Sequence, residues 1–219
     1  MAHRIRIWDL PTRVFHWLLV ALIVAQVVTA NVGGNAMVWH MRSGYGVIAL
    51  LLFRLVWGLI GGHWSRFRSF LYAPANVWYY LRGHLPEPAG HSPLGALSVL
   101  SLLGALALQT ASGLFSDDEI AFSGPLTALV SSQRVDQATW FHTEVGKVLV
   151  IALVLLHVLA IAYYTLVRRK TLVRPMVSGD KVLDEAVPTS RDDGVSRALA
   201  LVVFAACSGA VAYLVQLAG

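Results

Sequence analysis

Apolar residues dominate five long stretches of this chain, and polar or charged residues mark the connections between them. The stretches are Thr12–Asn31, His40–Gly61, Pro93–Phe115, Trp140–Val167 and Ser196–Leu217. Each has about the 20 residues that an α-helix needs to cross the apolar core of a lipid bilayer. The pattern therefore predicts an all-α integral membrane protein with five transmembrane helices.

The overall composition agrees with this prediction. Hydrophobic residues make up 57% of the 219 residues and charged residues 13%, against about 45–50% and about 25% in soluble domains. This composition excludes an ordinary soluble enzyme. The single cysteine, Cys207, lies in the last apolar stretch, and no Cys-x-x-Cys-His sequence occurs. A disulfide within the chain and a covalently attached c-type haem are therefore both excluded.

Basic residues are distributed unevenly among the connections. The net charge is +5, and most arginines and lysines lie before the first stretch, between the second and third, and between the fourth and fifth. The other side carries few basic residues and the acidic run Asp117–Glu119. Because basic connections stay in the cytoplasm, the N-terminus is predicted to be cytoplasmic and the C-terminus external. The charge is explained by topology, so we expect no nucleic-acid partner.

Four histidines lie inside the apolar stretches or at their rims: His16, His40, His142 and His157. Ionisable side chains are costly in a membrane and usually functional. The topology places His16 near the cytoplasmic end of its helix and His40 near the outer end. His157 follows His142 by 15 residues, which is about 22 Å along a helix with an angular offset of about 60°. The depths predict two pairs, His40 with His142 outside and His16 with His157 inside.

Each pair supplies two imidazoles, which limits what it can hold. A zinc site usually has four ligands, so two histidines are too few. A haem takes four nitrogens from its own porphyrin and needs only two axial ligands, and helices that face one another can supply them. Two non-covalent, bis-histidine b-type haems are therefore the first hypothesis. Histidines that relay protons, or that are satisfied between packed helices, are the alternative.

Three further residues are candidates for contact with these haems. Gly44 and Gly46 follow His40 by about one to two helical turns, where small residues would let a flat macrocycle approach the backbone. Close packing of helices is the alternative. Arg54 lies in an apolar run and needs a partner. A propionate of the inner haem would provide one, unless the side chain extends to the lipid headgroups.

Several segments, taken together, resemble the bacterial di-haem cytochrome b561 family, which is related to the b-type cytochrome subunits of nickel-iron hydrogenases. In chain order they are RIWDLPTRVFHW from Arg6, HMRSGY from His40, FRLVWG from Phe53, GHSPLGA from Gly90, the span with His142 and His157, and Asp180-Lys181. The resemblance implies that His16, His40, His142 and His157 are haem ligands. It also implies a four-helix haem-binding domain in residues 1–181, to which residues 182–219 add a cytoplasmic loop and a fifth helix.

The resemblance further implies electron transfer across a bacterial inner membrane, between a quinone pool and a periplasmic partner such as a soluble c-type cytochrome. A hydrogenase or dehydrogenase anchor subunit is the alternative. A histidine-relay transporter is more distant, because neither repeated halves nor broken helices are visible. His91 could bind a propionate, line a quinone pocket or face water, and Tyr45, Gln109 and Thr110 are further quinone candidates by polarity. The sequence leaves open whether the chain acts as a quinone-linked oxidoreductase, and so as an enzyme. It also leaves open whether the chain forms a homodimer.

Overall fold

The computed structural model describes residues 2–218, and most of them are helical. The α-helices are α1 (Leu10–Val32), α2 (Ala36–Ile60), α3 (Pro74–Leu81), α4 (Pro93–Gly113), α5 (Ser132–Trp140), α6 (Lys147–Ala162), α7 (Val173–Ser178) and α8 (Gly194–Ala218). Two π-helical segments, Phe141–Gly146 and Tyr163–Val167, follow α5 and α6 without a break. Short 3₁₀ turns lie at His63–Ser65, Phe67–Ser69 and Thr127–Leu129, and the strands are β1 (His3–Arg6) and β2 (Asp180–Leu183).

Five helical segments of the described chain are long and apolar enough to cross a membrane. They are Leu10–Val32, Ala36–Ile60, Pro93–Gly113, Ser132–Val167 and Gly194–Leu217. The five predicted spans are thereby confirmed, and the chain is a multi-pass membrane protein. The helix of the fourth span begins at Ser132 rather than at the predicted Trp140, because the more polar residues before the apolar stretch are also helical. The angular offset predicted between His142 and His157 assumes a regular α-helix throughout. The structure differs, since a π-helical segment contains His142.

The contacts divide the chain into two compact units, and the boundaries fall inside the long helices. The first unit contains the residues up to His16, Arg54–Ser101 and Leu156–Val203; the second contains Trp17–Phe53, Leu102–Leu155 and the residues from Phe204 onward. Ile7, Trp57 and Phe70 are buried in the first unit, and Val47, Leu50 and Phe53 in the second. The division of the chain after residue 181 stays a prediction.

The connection between the fourth and fifth spans is more ordered than the polar loop that the sequence predicts. After α7, Gly179 has a φ of +90°, a left-handed conformation that glycine adopts readily. Its carbonyl accepts hydrogen bonds from the backbone N–H groups of Ile7 and Trp8 at 2.9 and 3.0 Å. β2 then pairs antiparallel with β1, and Arg6 forms an ion pair with Asp192 at 2.5 Å. This connection therefore anchors the segment that precedes α1.

A fully buried carboxylate holds the start of α1. Asp9 is 0% exposed and accepts a hydrogen bond from the backbone N–H of Thr12 at 2.8 Å, as a helix N-cap does. It also accepts hydrogen bonds from the Gly62 N–H at 2.9 Å, the Ser65 hydroxyl at 2.8 Å and the Trp57 indole N–H at 3.2 Å. One side chain thus joins α1 to the end of α2 and to the turn that follows it.

Candidate cofactor sites

The four candidate histidines fall into two pairs, one in each unit. His16 and His157 belong to the first unit, and His40 and His142 to the second. All four side chains are half-buried. Among residues 2–218, no group of three or more His, Cys, Asp or Glu side chains is arranged to hold a metal ion. Each pair offers two imidazoles, which is the number of axial ligands that a haem iron takes from a protein.

In the second unit, the His40 and His142 rings have the spacing of two ligands of one metal. Their centroids are 6.1 Å apart, and the ring planes are inclined by 88°. A metal–imidazole bond is about 2 Å long and the ring centre lies about 1 Å behind the bonding nitrogen, so two ligands on opposite sides of one ion have centroids about 6 Å apart. The pair therefore fits a haem iron with two axial histidines.

Backbone carbonyls orient both rings. The Nδ1 atom of His40 lies 3.2 Å from the carbonyl oxygen of Gln26, and that of His142 lies 2.9 Å from the carbonyl oxygen of Gln109. Because a carbonyl only accepts, these hydrogen bonds assign the proton to Nδ1 and leave the lone pair on Nε2. Metal-binding histidines commonly use such a second bond, which fixes the tautomer and the ring orientation.

A cavity of about 420 Å³ adjoins the two rings, within the range of about 300–1,000 Å³ typical of ligand sites. Its lining includes Gly44 and three of the quinone candidates, Tyr45, Gln109 and Thr110. Gly46 has another environment: a Cβ added there would lie 3.1 Å from Leu22 Cδ1. Gly44 thus borders the cavity, whereas Gly46 lies at a contact between α1 and α2.

Sequence reasoning missed Gly113, the last residue of α4. A Cβ added there would lie 2.8 Å from Cε1 and 3.1 Å from Nδ1 of His142, which is closer than ordinary van der Waals contact. The missing side chain therefore makes room for the imidazole ring. A glycine at the end of a span is common, so this sequence signal was weak.

In the first unit, His16 and His157 are close enough to interact electrostatically. The Nδ1 atom of His157 lies 3.4 Å from the hydroxyl oxygen of Ser98. This ring therefore also has a protein partner on the nitrogen that would face away from a metal.

Arg54 is buried in the same unit, with only 3% of the residue exposed. Its guanidinium carbon lies 4.7 Å from the centre of the Phe67 ring and 6.0 Å from that of Phe70. The Nη1 atom is buried and has no hydrogen-bond partner among the described residues. Because the Arg54 side chain is buried, it does not extend to the lipid headgroups. An anion would provide the hydrogen-bond partner that its cationic Nη1 lacks.

His91 lies beside this arginine and is packed between aromatic rings. Its ring centroid is 4.6 Å from that of Trp8 and 4.5 Å from that of Phe70, and its buried Nδ1 has no described hydrogen-bond partner. Burial, with smaller contributions from Arg54 and His157, lowers the pKa of His91 to about 3. The imidazole is therefore neutral at physiological pH. A carboxylate such as a haem propionate would satisfy Arg54 and could accept a hydrogen bond from His91.

Comparisons with known proteins point to one family. Residues 7–179 match the family model of prokaryotic cytochrome b561. The chain is similar to a probable Ni/Fe-hydrogenase B-type cytochrome subunit of Azotobacter chroococcum mcd 1, with 24% identity over 83% of this chain and 90% of that protein. The Bradyrhizobium diazoefficiens protein of the same name is 22% identical, with coverages of 80% and 85%. The probable Ni/Fe-hydrogenase 1 B-type cytochrome subunit of Escherichia coli K12 is 23% identical, with coverages of 79% and 88%. No solved structure gives a significant match.

Proposed function

Because the chain belongs to the prokaryotic cytochrome b561 family, we propose that it binds two haem b groups and transfers electrons between a quinone pool and a periplasmic redox partner. His40 and His142 hold one haem, and His16 and His157 hold the other. The 6.1 Å separation of the His40 and His142 rings is the observation that supports this proposal best. Haem iron supplies the one-electron chemistry, while the protein supplies ligation, orientation and electrostatics.

The two imidazoles of each pair and the groups around them favour electron transfer over oxygen binding. Two imidazoles on one iron leave no open coordination position. The carbonyls of Gln26 and Gln109 keep the Nδ1 protons in place, so these rings keep their tautomer. In the first unit, Arg54 provides a positive charge for a buried propionate, and His91 adds a neutral hydrogen-bonding group without adding charge.

The distribution of basic residues supports a depth in the membrane for each histidine pair. Since the connections rich in arginine and lysine belong to the side with the N-terminus, the haem of His16 and His157 lies nearer the cytoplasmic ends of its helices and the haem of His40 and His142 nearer their outer ends. A bacterial inner membrane is the location that agrees with such a topology and with a quinone pool. A soluble c-type cytochrome would then receive electrons from, or donate them to, the haem of His40 and His142.

Haem stoichiometry combined with a redox titration tests this function. We expect the purified full-length protein to contain two haems per chain by pyridine haemochrome, to show b-type bands on reduction with dithionite, and to titrate in two components. One haem per chain would contradict the two-haem proposal. A reduced spectrum without b-type bands would contradict haem ligation by these histidines altogether.

The names of the similar proteins favour a more specific second candidate. They are described as probable B-type cytochrome subunits of Ni/Fe hydrogenases, so this chain could anchor a hydrogenase or another dehydrogenase and receive its electrons. Affinity purification of the tagged chain from its native membrane separates the two candidates. Stoichiometric recovery of hydrogenase or dehydrogenase subunits supports the anchor function, whereas recovery of the cytochrome alone supports the independent electron carrier.

Gly113→Ala should weaken haem binding in the second unit. The added methyl group would lie 2.8 Å from the His142 ring, so the rigid imidazole would be displaced from the position in which it would bind a haem iron. We expect about ten- to hundredfold weaker haem retention, as for other changes around metal ligands, measured by haem transfer to apomyoglobin. Gly104→Ala is the matched control, because nothing lies within 4 Å of a Cβ added at this position of the same helix. Parent-like retention in Gly113→Ala would contradict the ligand role of His142.

A further inference from the structure

Two glutamine side chains of the second unit bind the candidate haem ligands in the same way. Gln26 Nε2 donates a hydrogen bond to the main-chain carbonyl of His40 at 2.6 Å, and Gln109 Nε2 donates one to that of His142 at 3.0 Å. The main-chain carbonyls of the same glutamines accept the Nδ1 protons of these histidines. Each glutamine therefore holds both the backbone and the ring of one histidine on another helix.

A glycine four residues after each histidine lies beside the amide of the glutamine. In an α-helix the carbonyl of residue i points towards residue i+4, and in the π-helical segment that contains His142 it points towards residue i+5. In both cases the side chain of residue i+4 would lie close to an amide that approaches the carbonyl. Gly44 and Gly146 occupy these positions. A Cβ at Gly44 would lie 3.5 Å from Gln26 Nε2, and a Cβ at Gly146 would overlap with Gln109 Oε1. The first distance is an ordinary van der Waals contact and the second is an overlap, so the approach of the glutamine requires a glycine at position 146 only.

A hydroxyl group three residues after each glutamine completes the pattern. Thr29 Oγ1 lies 3.4 Å from His40 Nδ1, and Ser112 Oγ lies 3.3 Å from His142 Nδ1. The pattern is therefore Gln-x₂-Thr/Ser on one helix and His-x₃-Gly on its partner, and it occurs twice. The first-unit histidines do not share it, because valine and isoleucine stand four residues after His16 and His157.

We propose that Gln26 and Gln109 are equivalent positioning residues of the second-unit haem, each holding one histidine ligand. We call each set of two hydrogen bonds, from the glutamine side chain to the histidine backbone and from the histidine ring to the glutamine backbone, a glutamine clasp. The inference rests on the proposed haem function of this site. It gives Gln109, a quinone candidate by polarity, a different role. By fixing the main chain and the Nδ1 proton together, each glutamine sets the direction of one Nε2 lone pair. The hydrogen-bonded Nδ1 also makes the imidazole a more basic ligand.

Replacing each glutamine by methionine tests the clasp in the full-length, haem-loaded protein. Methionine has a similar length but donates no hydrogen bond. We expect Gln26→Met and Gln109→Met each to alter the low-spin electron paramagnetic resonance signal and the midpoint potential of the same haem. That haem should also be released about ten- to hundredfold faster. Gln137→Met, which makes the same change at an exposed glutamine of the second unit, is the matched control.

The first-unit haem serves as an internal reference for folding in every variant. Gly146→Ala should reproduce the spectral change of Gln109→Met, because its methyl group displaces the glutamine amide. A change in only one of the two glutamine variants would overturn their equivalence, and a change in neither would overturn the positioning role. If the parent protein contains no bis-histidine haem in the second unit, both the proposed function and this inference are overturned. If the parent protein contains that haem but the glutamine variants leave it unchanged, the inference alone is overturned.

Discussion

His142→Ala and His40→Ala are each expected to abolish the same haem signal and to leave the other haem in place. The two rings belong to one unit and have centroids 6.1 Å apart, so losing either leaves an iron with one protein ligand. Such an iron is five-coordinate and high-spin, or the site loses its haem. Haem content by pyridine haemochrome should fall to about half of the parent value, and one component should disappear from low-temperature spectra.

His16→Ala and His157→Ala should remove the complementary component, because these residues form the first-unit pair. His84→Ala controls for the loss of an imidazole as such, since His84 is an exposed loop residue to which no role is assigned. A shared spectral loss in His16→Ala and His142→Ala, with His157→Ala unaffected, would contradict the pairing. The two-haem proposal would survive that result, but the assignment of ligands to the two units would not.

Asp9→Leu should destabilise the protein more than any other single change outside the haem ligands. The substitution keeps the branched outline of the side chain but is larger and apolar, and it leaves the N–H groups of Thr12 and Gly62 and the Ser65 hydroxyl without their buried acceptor. The nearby Arg54 would also lose an electrostatic partner. Removing one member of a buried charged network costs about 3–5 kcal/mol, which should appear as a lower free energy of unfolding in mixed-micelle denaturation.

Asp9→Asn separates the hydrogen bonds from the charge, because the amide keeps one acceptor oxygen but loses the negative charge. We expect an intermediate loss of stability from this variant. Asp184→Leu provides the control: Asp184 is exposed, and surface substitutions usually change stability by less than about 0.5 kcal/mol. Unfolding of Asp9→Leu at the parent denaturant concentration would show that the carboxylate is not needed to hold α1.

The membrane spans were predictable because their cause is local. A run of about 20 apolar residues has to form a helix in a bilayer, where each backbone polar group needs an internal partner. Counting residues along such helices gives the depth of each histidine, and His40 and His142 could be proposed as a pair on that basis. The spans are confirmed, while the haem ligands remain a proposal supported by ring spacing.

The connection after the fourth span was harder to predict because its order depends on distant residues. β2 is stabilised by β1, which lies more than 170 residues earlier in the chain. Arg6 likewise finds Asp192 only after the chain has crossed the membrane four times. Polar composition alone therefore predicted a loop where the structure contains a helix, a strand and ion pairs.

Hydropathy by itself determined that the chain has five apolar helices long enough to span a membrane, and residue spacing along them predicted two sets of histidines at different depths. Only the tertiary structure decided which residues contact those histidines and form hydrogen bonds with them. The Gln26 and Gln109 clasps, the space at Gly113 and the carboxylate of Asp9 all depend on how far each helix rotates about its axis and which helix lies beside it. Hydropathy constrains depth strongly, but rotation is set by packing between helices, so the contacts around the site became visible only in the folded chain.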